Sequence, residues 1–237
     1  MPRFVILGCG TAVGKTRVSR ALLSGLATRG QSCLGLKPIE SGVTAADSSK
    51  PPENSDAALL SAASTVPTQQ AHPFYALRDA VSPHLAARNE DTAIDLSNVV
   101  AWVERAESEV ARHVASDRAL WSIVETAGGV LSPLGPGLTN FDLAQILEPA
   151  IWILVAADAL GVLHDVSATK EALAARGRPA DYLVLSQARE PDASTGTNAD
   201  ELSVLGIATP AAVLERNDDR GLDALIDRLL DQHRSRS

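Results

Sequence analysis

Short apolar runs alternate with longer segments of helical periodicity along most of this chain. Several of the runs are almost continuously apolar, which is typical of parallel strands buried on both faces. The predicted strands are 4–7, 32–36, 119–124, 151–156, 182–185 and 211–214. The predicted helices are 16–29, 96–115, 142–147, 162–175 and 221–232. This alternation predicts a single-domain α/β protein over residues 1–237, with a mostly parallel, doubly wound sheet and a frayed tail at 233–237.

A glycine-rich segment joins the first predicted strand to the first predicted helix. Residues 8–16 read Gly-Cys-Gly-Thr-Ala-Val-Gly-Lys-Thr, and this context is the one that a phosphate-binding loop needs. Small residues let backbone N–H groups surround a phosphate, and the helix N-terminus adds partial positive charge. Lys15 can neutralise phosphate oxygens, and the Thr16 hydroxyl can bind magnesium. The segment therefore predicts a fold of P-loop NTPase type. Five residues separate Gly8 from Gly14, whereas the usual loop has four between these glycines.

Two charged residues directly follow predicted strands. Lys37 follows 32–36 and Glu125 follows 119–124, so parallel strands would bring both to the same edge as the phosphate loop. There Lys37 could stabilise phosphoryl charge and Glu125 could contact magnesium. Asp56 is explained equally well as a residue that favours a helix start, with Asn54 or Ser55 as the cap.

Composition restricts the partners that the chain could bind. The net charge of −8 gives no reason to expect binding to nucleic acid or to an acidic membrane surface. The two cysteines form neither a disulfide framework nor a metal-ligand cluster. Without an apolar run of roughly 18 residues or a secretory signal pattern, we expect no membrane association and a cytoplasmic location.

Taken together, the motifs resemble those of the dethiobiotin synthetase family. The matching segments follow the family's order over roughly residues 3–187, and the Lys-Pro-x-x-Ser-Gly motif discriminates best. They are the phosphate loop, Lys37-Pro38 with Ser41-Gly42, Asn54-Ser55-Asp56-Ala57, Ser82-Pro83-His84, Val124-Glu125 with Ala127-Gly128-Gly129, and Leu160-Gly161. The resemblance implies a ligase that uses ATP and Mg²⁺ to close the ureido ring of dethiobiotin from 7,8-diaminopelargonate and CO2 or bicarbonate.

The resemblance also implies roles for individual residues. Lys37 and Lys15 would be catalytic, and Thr16, Asp56 and Glu125 would hold Mg²⁺. Ser41, Gly161 and His164 would bind the organic substrate, with the helix that starts near Gly161 supplied by the partner subunit of a homodimer. The implied nucleotide-binding residues are Thr11, Ala12, Val13, Gly14, Lys15, Thr16, Arg17, Asp56, Glu125, Thr126, Ala127, Gly128, Ser186 and Gln187.

Some positions depart from the family's pattern, and other functions stay open. The departures are Gly10, Ala12, Thr126, the segment around His164, and Ser186-Gln187 where the family has an adenine-reading Asn-Asp. A paralogue acting on another amine or carboxylate is the first alternative. An amide-forming ligase similar to cobyrinic acid a,c-diamide synthases is weaker, because those enzymes carry an added amidotransferase domain. A nucleotide-switched partner-binding ATPase is weaker too, because its extra signature lysine would fall at Gly10.

Overall fold

A parallel sheet organises the molecule. In the computed structural model, residues 1–43, 54–68, 72–114 and 119–235 are described. Their strands are β1 (Arg3–Gly8), β2 (Ser32–Leu36), β3 (Ile39–Ser41), β4 (Tyr75–Leu77), β5 (Leu120–Glu125), β6 (Pro133–Gly135), β7 (Leu138–Thr139), β8 (Ile151–Asp158), β9 (Tyr182–Gln187) and β10 (Ala212–Leu214). Six strands form the main sheet in the order β10-β9-β8-β1-β5-β2, and every neighbouring pair is parallel. The carboxyl ends of these strands therefore share one edge.

Helices cover both faces of the sheet. They are α1 (Lys15–Thr28), α2 (Asp56–Ala63), α3 (Pro83–Asn89), α4 (Leu96–Ala111), α5 (Asn140–Ile146), α6 (Val162–Ala175), α7 (Asn198–Val204) and α8 (Asp223–Arg234). The side chains of β1 alternate between the two layers. Phe4 and Ile6 pack with α1 and α8, while Val5 and Leu7 pack with α4, α5 and α6. Both layers are apolar, which explains the nearly continuous apolar pattern of the central strands.

The predicted α/β class and parallel sheet are confirmed. The structure adds α3, α7 and two small two-stranded sheets, β3-β4 and β6-β7, whose short segments carry little periodicity. Helix α2 begins at Asp56 with Ser55 as its N-cap, as the alternative interpretation of Asp56 predicts. Helix α8 extends to Arg234, into the tail that was predicted to fray, and 236–237 lie outside the described residues. The segment at 44–54, whose Ser, Pro and small residues predict a surface loop, lies outside the described residues except for Asn54. Helix α4 ends at Ala111, earlier than the predicted helix 96–115, and residue 115 lies outside the described residues.

Within the described ranges, no helix combines enough residues with enough apolar character to span a membrane.

Candidate active site

The phosphate loop connects β1 to α1 and has an unusual backbone. Gly14 has a φ of 95°, and Ala12 has a φ of 58°. Both values lie in the left-handed region, which costs alanine more than glycine. Gly14 also packs against the buried Ser186, since a Cβ at Gly14 would lie 2.3 Å from Ser186 Oγ. Glycine is thus required at position 14 for conformation and for space.

The loop is held to the chain that follows β5. Val130 donates a backbone hydrogen bond to Gly8 O at 2.8 Å, and a Cβ at Gly129 would lie 3.3 Å from Cys9 O. Lys15 Nζ folds back over the loop and donates to Gly10 O at 3.1 Å. The lysine therefore lies across the hollow in which backbone N–H groups would receive phosphate oxygens.

Lys37 is the residue directly after β2, and it is buried beside two carboxylates. Its Nζ atom lies 2.6 Å from Glu125 Oε1 and 2.9 Å from Asp56 Oδ2. A third hydrogen bond goes to Thr126 O at 3.2 Å. All three ammonium donors thus have acceptors.

Thr16 and Ser19 of α1 face the same carboxylates. The Thr16 hydroxyl lies 2.8 Å from Asp56 Oδ1 and 2.9 Å from Glu125 Oε1. Ser19 Oγ donates to Glu125 Oε2 at 2.7 Å. The structure therefore brings together the residues that were expected separately at the ends of β1, β2 and β5 and at the start of α2.

Burial and charge shift the pKa values of this cluster. Burial and then the nearby Lys37 ammonium lower the pKa of Lys15 to about 8, although Glu125 and Asp56 oppose the shift. For Lys37 itself, burial is outweighed by Glu125 and Asp56, which raise its pKa. Burial opposes ionisation of Asp56 as well, but the Lys37 ammonium prevails and lowers the pKa of that carboxyl. At neutral pH, Lys37 and Asp56 are thus both charged.

The cluster forms the floor of a cavity of about 980 Å³. Ser41 lines its wall, and its Oγ atom is buried with no hydrogen-bond partner among the described residues. Of the predicted site residues, the cavity walls include Thr11, Ala12, Gly14, Lys15, Thr16, Arg17, Lys37, Ser41, Asp56, Glu125, Ala127 and Gly128. The volume is large enough for a nucleotide and a small organic molecule together.

Thr16, Asp56 and Glu125 match the oxygen chemistry of magnesium. Mg²⁺ takes hard oxygen ligands, commonly one or two carboxylates together with phosphate oxygens and water. One hydroxyl and two carboxylates converge here, with the Thr16 oxygen within 2.9 Å of each carboxylate. Nowhere in the described ranges do three or more His, Cys, Asp or Glu side chains form a cluster that could hold a metal alone. The predicted set therefore suits an ion shared with a nucleotide.

The remaining predicted residues lie outside the main cavity. Val13, Ser186 and Gln187 line an adjoining cavity of about 330 Å³, next to Arg17. Thr126 directs its hydroxyl away from the site, where it donates to Ile6 O at 2.9 Å.

Gly161 and His164 lie apart from both cavities. Gly161 has a φ of 98° and precedes α6, and His164 is exposed in the first turn of that helix. These two residues do not meet Lys37 within one copy of the described chain.

The site also contains polar residues that were not predicted from the sequence, among them Glu40, Arg189 and Ser19. Glu40 and Arg189 line the main cavity, and Ser19 binds Glu125 from one turn beyond Lys15. Helical spacing from Lys15 could have indicated Ser19. Glu40 occupies a variable position inside the Lys-Pro-x-x-Ser-Gly motif, so the motif marks its segment but not its side chain, and Arg189 lies in an irregular segment without periodicity.

Comparison with known proteins decides the family. A family model described as an AAA domain matches residues 2–220. The ATP-dependent dethiobiotin synthetase BioD of Anaeromyxobacter dehalogenans (strain 2CP-C) is 36% identical over 212 residues, which cover 88% of this chain and 87% of that protein. The chain belongs to the dethiobiotin synthetase family. The family member named BioD in Cellvibrio japonicus (strain Ueda107) is 35% identical over 178 residues, covering 74% of this chain and 72% of that protein.

The resemblance predicted from the motifs is thereby confirmed, and so is the predicted enzyme class, an ATP-dependent ligase. Solved structures support the P-loop NTPase fold. The MinC:MinD complex of Aquifex aeolicus matches with a TM-score of 0.57 at 11% identity, covering 98% of this chain and 96% of that one. A ParA family ATPase from Chlorobium tepidum TLS matches with a TM-score of 0.52 at 15% identity, covering 95% and 89%. At these identities the similarity is one of fold.

Proposed function

We propose that this chain closes the ureido ring of dethiobiotin from 7,8-diaminopelargonate and CO2, with ATP as co-substrate. The observation that carries the proposal is the convergence of Lys15, Thr16, Lys37, Asp56 and Glu125 at the floor of one cavity. Together with the family relationship, this arrangement supports phosphoryl transfer to a carboxylate-like acceptor beside the phosphate loop.

The proposed reaction has three balanced steps. A substrate amine adds to CO2 and loses a proton, which gives a carbamate. A carbamate oxygen attacks the γ-phosphorus of ATP, and the bond to the leaving ADP breaks. The second amine then attacks the carbonyl carbon of the carbamic-phosphoric anhydride and loses a proton, and inorganic phosphate leaves as the ring closes.

The residues of the chain contribute charge and position to these steps. Lys15 would contact the β- and γ-phosphates, and the backbone N–H groups of residues 11–16 would surround them. Lys37 would face the carbamate and stabilise the charge that develops during transfer. Ser41, whose buried hydroxyl lacks a partner among the described residues, would bind the substrate near its reacting end. Thr16, Asp56 and Glu125 would hold Mg²⁺, which neutralises phosphate charge when bound.

The organic substrate must also be held at its far end. We include in the proposal a homodimer in which the α6 N-terminus of the partner subunit, near Gly161 and His164, receives the substrate carboxylate. The N–H groups that begin a helix favour such an anion.

The direct test is incorporation of labelled bicarbonate into dethiobiotin by purified protein with diaminopelargonate and MgATP. We expect acid-stable label that requires all three additions. If nucleotide binds but no label is incorporated, the proposed substrate is wrong, and the paralogue with a different amine or carboxylate substrate takes its place. The departures at Gly10 and Ala12 favour testing other diamines in parallel.

A further inference from the structure

Glu40 makes an unusual pair of hydrogen bonds at the edge of the main cavity. It lies at the centre of β3, and it is only 7% exposed. Its Oε1 atom accepts from Asp56 N at 2.6 Å, and its Oε2 atom accepts from Ala57 N at 3.0 Å. The carboxylate thus binds two consecutive backbone N–H groups at the start of α2, from a strand 16 residues earlier in the chain.

These bonds complete the N-terminus of α2. The first N–H groups of a helix have no acceptor within the helix. Among the described residues, the side chain of Ser55, the N-cap residue, accepts from Ala58 N alone, at 3.2 Å. Glu40 supplies the acceptors for Asp56 and Ala57, and its negative charge also suits the positive end of the helix.

The position of the Asp56 carboxylate depends on the start of α2. Asp56 is the first residue of α2, and its side chain reaches both Thr16 Oγ1 and Lys37 Nζ, at 2.8 and 2.9 Å. Because Glu40 holds the backbone nitrogen of Asp56, it determines where the Asp56 carboxylate lies. At 37% side-chain exposure, Asp56 has much less surrounding packing than Glu125, which is fully buried. Asp56 therefore depends on its backbone anchor for position.

We propose that Glu40 is a positioning residue that holds the Asp56 carboxylate in place for the divalent cation. This inference rests on the proposed function only in so far as Asp56 serves as a magnesium ligand. Groups that orient a metal ligand commonly change metal affinity by about 10- to 100-fold when they are removed. The Glu40 carboxylate accepts from the backbone N–H groups of Asp56 and Ala57, so its effect should be on the cation first.

The test measures Mn²⁺ binding by electron paramagnetic resonance, with the β,γ-imido analogue of ATP present. In Glu40→Gln, one acceptor becomes an NH2 donor that opposes a backbone N–H. We expect the Kd for Mn²⁺ to rise about tenfold. Ser55→Ala is the matched control, because it removes a cap from the same helix end but leaves the Asp56 N–H bonded. Its Kd for Mn²⁺ should stay within about twofold of wild type, while thermal unfolding shows a similar loss of stability in both variants.

A double variant shows whether Glu40 affects Mn²⁺ binding through Asp56 or by destabilising the whole site. If Glu40 acts through Asp56, then Glu40→Gln combined with Asp56→Asn should bind Mn²⁺ no more weakly than Asp56→Asn alone. If Glu40→Gln folds poorly, Glu40→Ala takes its place, because it removes both acceptors without adding a donor. Its Kd for Mn²⁺ should also exceed that of Ser55→Ala. Unchanged Mn²⁺ affinity in Glu40→Gln and Glu40→Ala, equal weakening by Ser55→Ala, or additive effects in the double variant would overturn the proposal. None of these measurements needs dethiobiotin to form, so failure of the labelling assay is a separate result.

Discussion

Lys37 Nζ lies 2.6 Å from Glu125 Oε1 in a site where the Lys37 side chain is 3% exposed and that of Glu125 is fully buried. A buried ion pair of this kind costs desolvation energy that its attraction must offset. The further bonds to Asp56 and Thr126 O help to do so. The ammonium is therefore held in a fixed position beside the phosphate loop, as electrostatic catalysis requires.

Lys37→Ala tests that role. We expect kcat to fall by about a hundredfold or more, because the cation that is proposed to stabilise the reacting oxygen is lost, while nucleotide still binds through the phosphate loop. Glu125 would lose an ion-pair partner but keep the Thr16 and Ser19 hydroxyls. The stability loss should therefore lie near the lower end of the ~3–5 kcal/mol typical of broken buried pairs.

Steady-state kinetics, equilibrium nucleotide binding and denaturant unfolding measure these three effects. Lys170→Ala is the control, since Lys170 is an exposed lysine on α6. Normal turnover in Lys37→Ala would contradict the assigned role.

The side chain and the backbone of Thr126 contact different parts of the protein. The Thr126 hydroxyl donates to Ile6 O, whereas the backbone carbonyl of Thr126 accepts from Lys37 Nζ. Thr126→Gly, which restores the family's glycine, should destabilise the protein by about 2 kcal/mol through the lost hydrogen bond and the added backbone entropy. The kcat should change by less than about twofold, because the carbonyl that Lys37 binds is retained.

Chemical denaturation with parallel kinetics checks this expectation. Thr126→Ser keeps the hydroxyl and should lose much less stability. A large fall in kcat in Thr126→Gly, with stability preserved, would show that the side chain serves the reaction.

Cys9 provides a pH-dependent prediction inside the phosphate loop. Burial raises the pKa of its thiol to about 11, although the Thr169 side chain opposes this through a hydrogen bond. A raised pKa means less thiolate at a given pH, and the thiolate is the reactive species. Alkylation by iodoacetamide should therefore be slow at pH 8 and should accelerate up to about pH 11.

The measurement uses Cys33→Ser, so that Cys9 is the single thiol. A free cysteine in a short peptide is the reference. A rate for the protein that levels off near pH 9 would be inconsistent with a raised pKa of the half-buried Cys9 thiol.

Gln187 is expected to influence the choice of nucleotide base. Its Oε1 atom accepts from Arg216 N at 2.7 Å, which orients the amide and leaves its NH2 group without an acceptor among the described residues. An NH2 donor suits the O6 acceptor of guanine better than the 6-amino group of adenine. Gln187→Glu would keep the bond to Arg216 and offer a second acceptor. We expect the ratio of KM for ATP to KM for GTP to fall by about tenfold.

Nucleotide competition experiments measure the same preference without turnover. Gln145→Glu, at an exposed position on α5, adds the same charge outside the cavity. An equal shift in both variants would assign the effect to net charge and remove Gln187 from base recognition.

The central sheet and the convergence of Lys15, Lys37 and Glu125 could be predicted because each has a local sequence signal. Apolar runs mark the six parallel strands, and the charged residues that end them share one edge by topology. Asp56 could not be assigned from physics alone, because a helix start explains it equally well. The contact of Asp56 with Lys37 depends on how α2 packs against the sheet, where Glu40 binds its first N–H groups. This packing is set by tertiary structure and has no local sequence signal.

A single copy of the chain does not bring together all the residues proposed to bind the organic substrate. Gly161 and His164 lie at the start of α6, apart from the cavity that holds Lys37. The proposed homodimer predicts that the two sets of residues meet across subunits. His164→Ala should then raise the KM for the diamine and leave nucleotide binding unchanged. An unchanged KM would count against a role for His164.

Mixed dimers test the shared site directly. If Lys37 and His164 of one site come from different subunits, a dimer of one Lys37→Ala chain and one His164→Ala chain has one intact site and one doubly altered site. Random mixing of equal amounts makes about half of the dimers mixed, so about a quarter of wild-type activity should return at low diamine concentration. If both residues of a site came from the same chain, every site would carry one substitution. Activity would then stay at the average of the two variants, and the cross-subunit arrangement would be wrong.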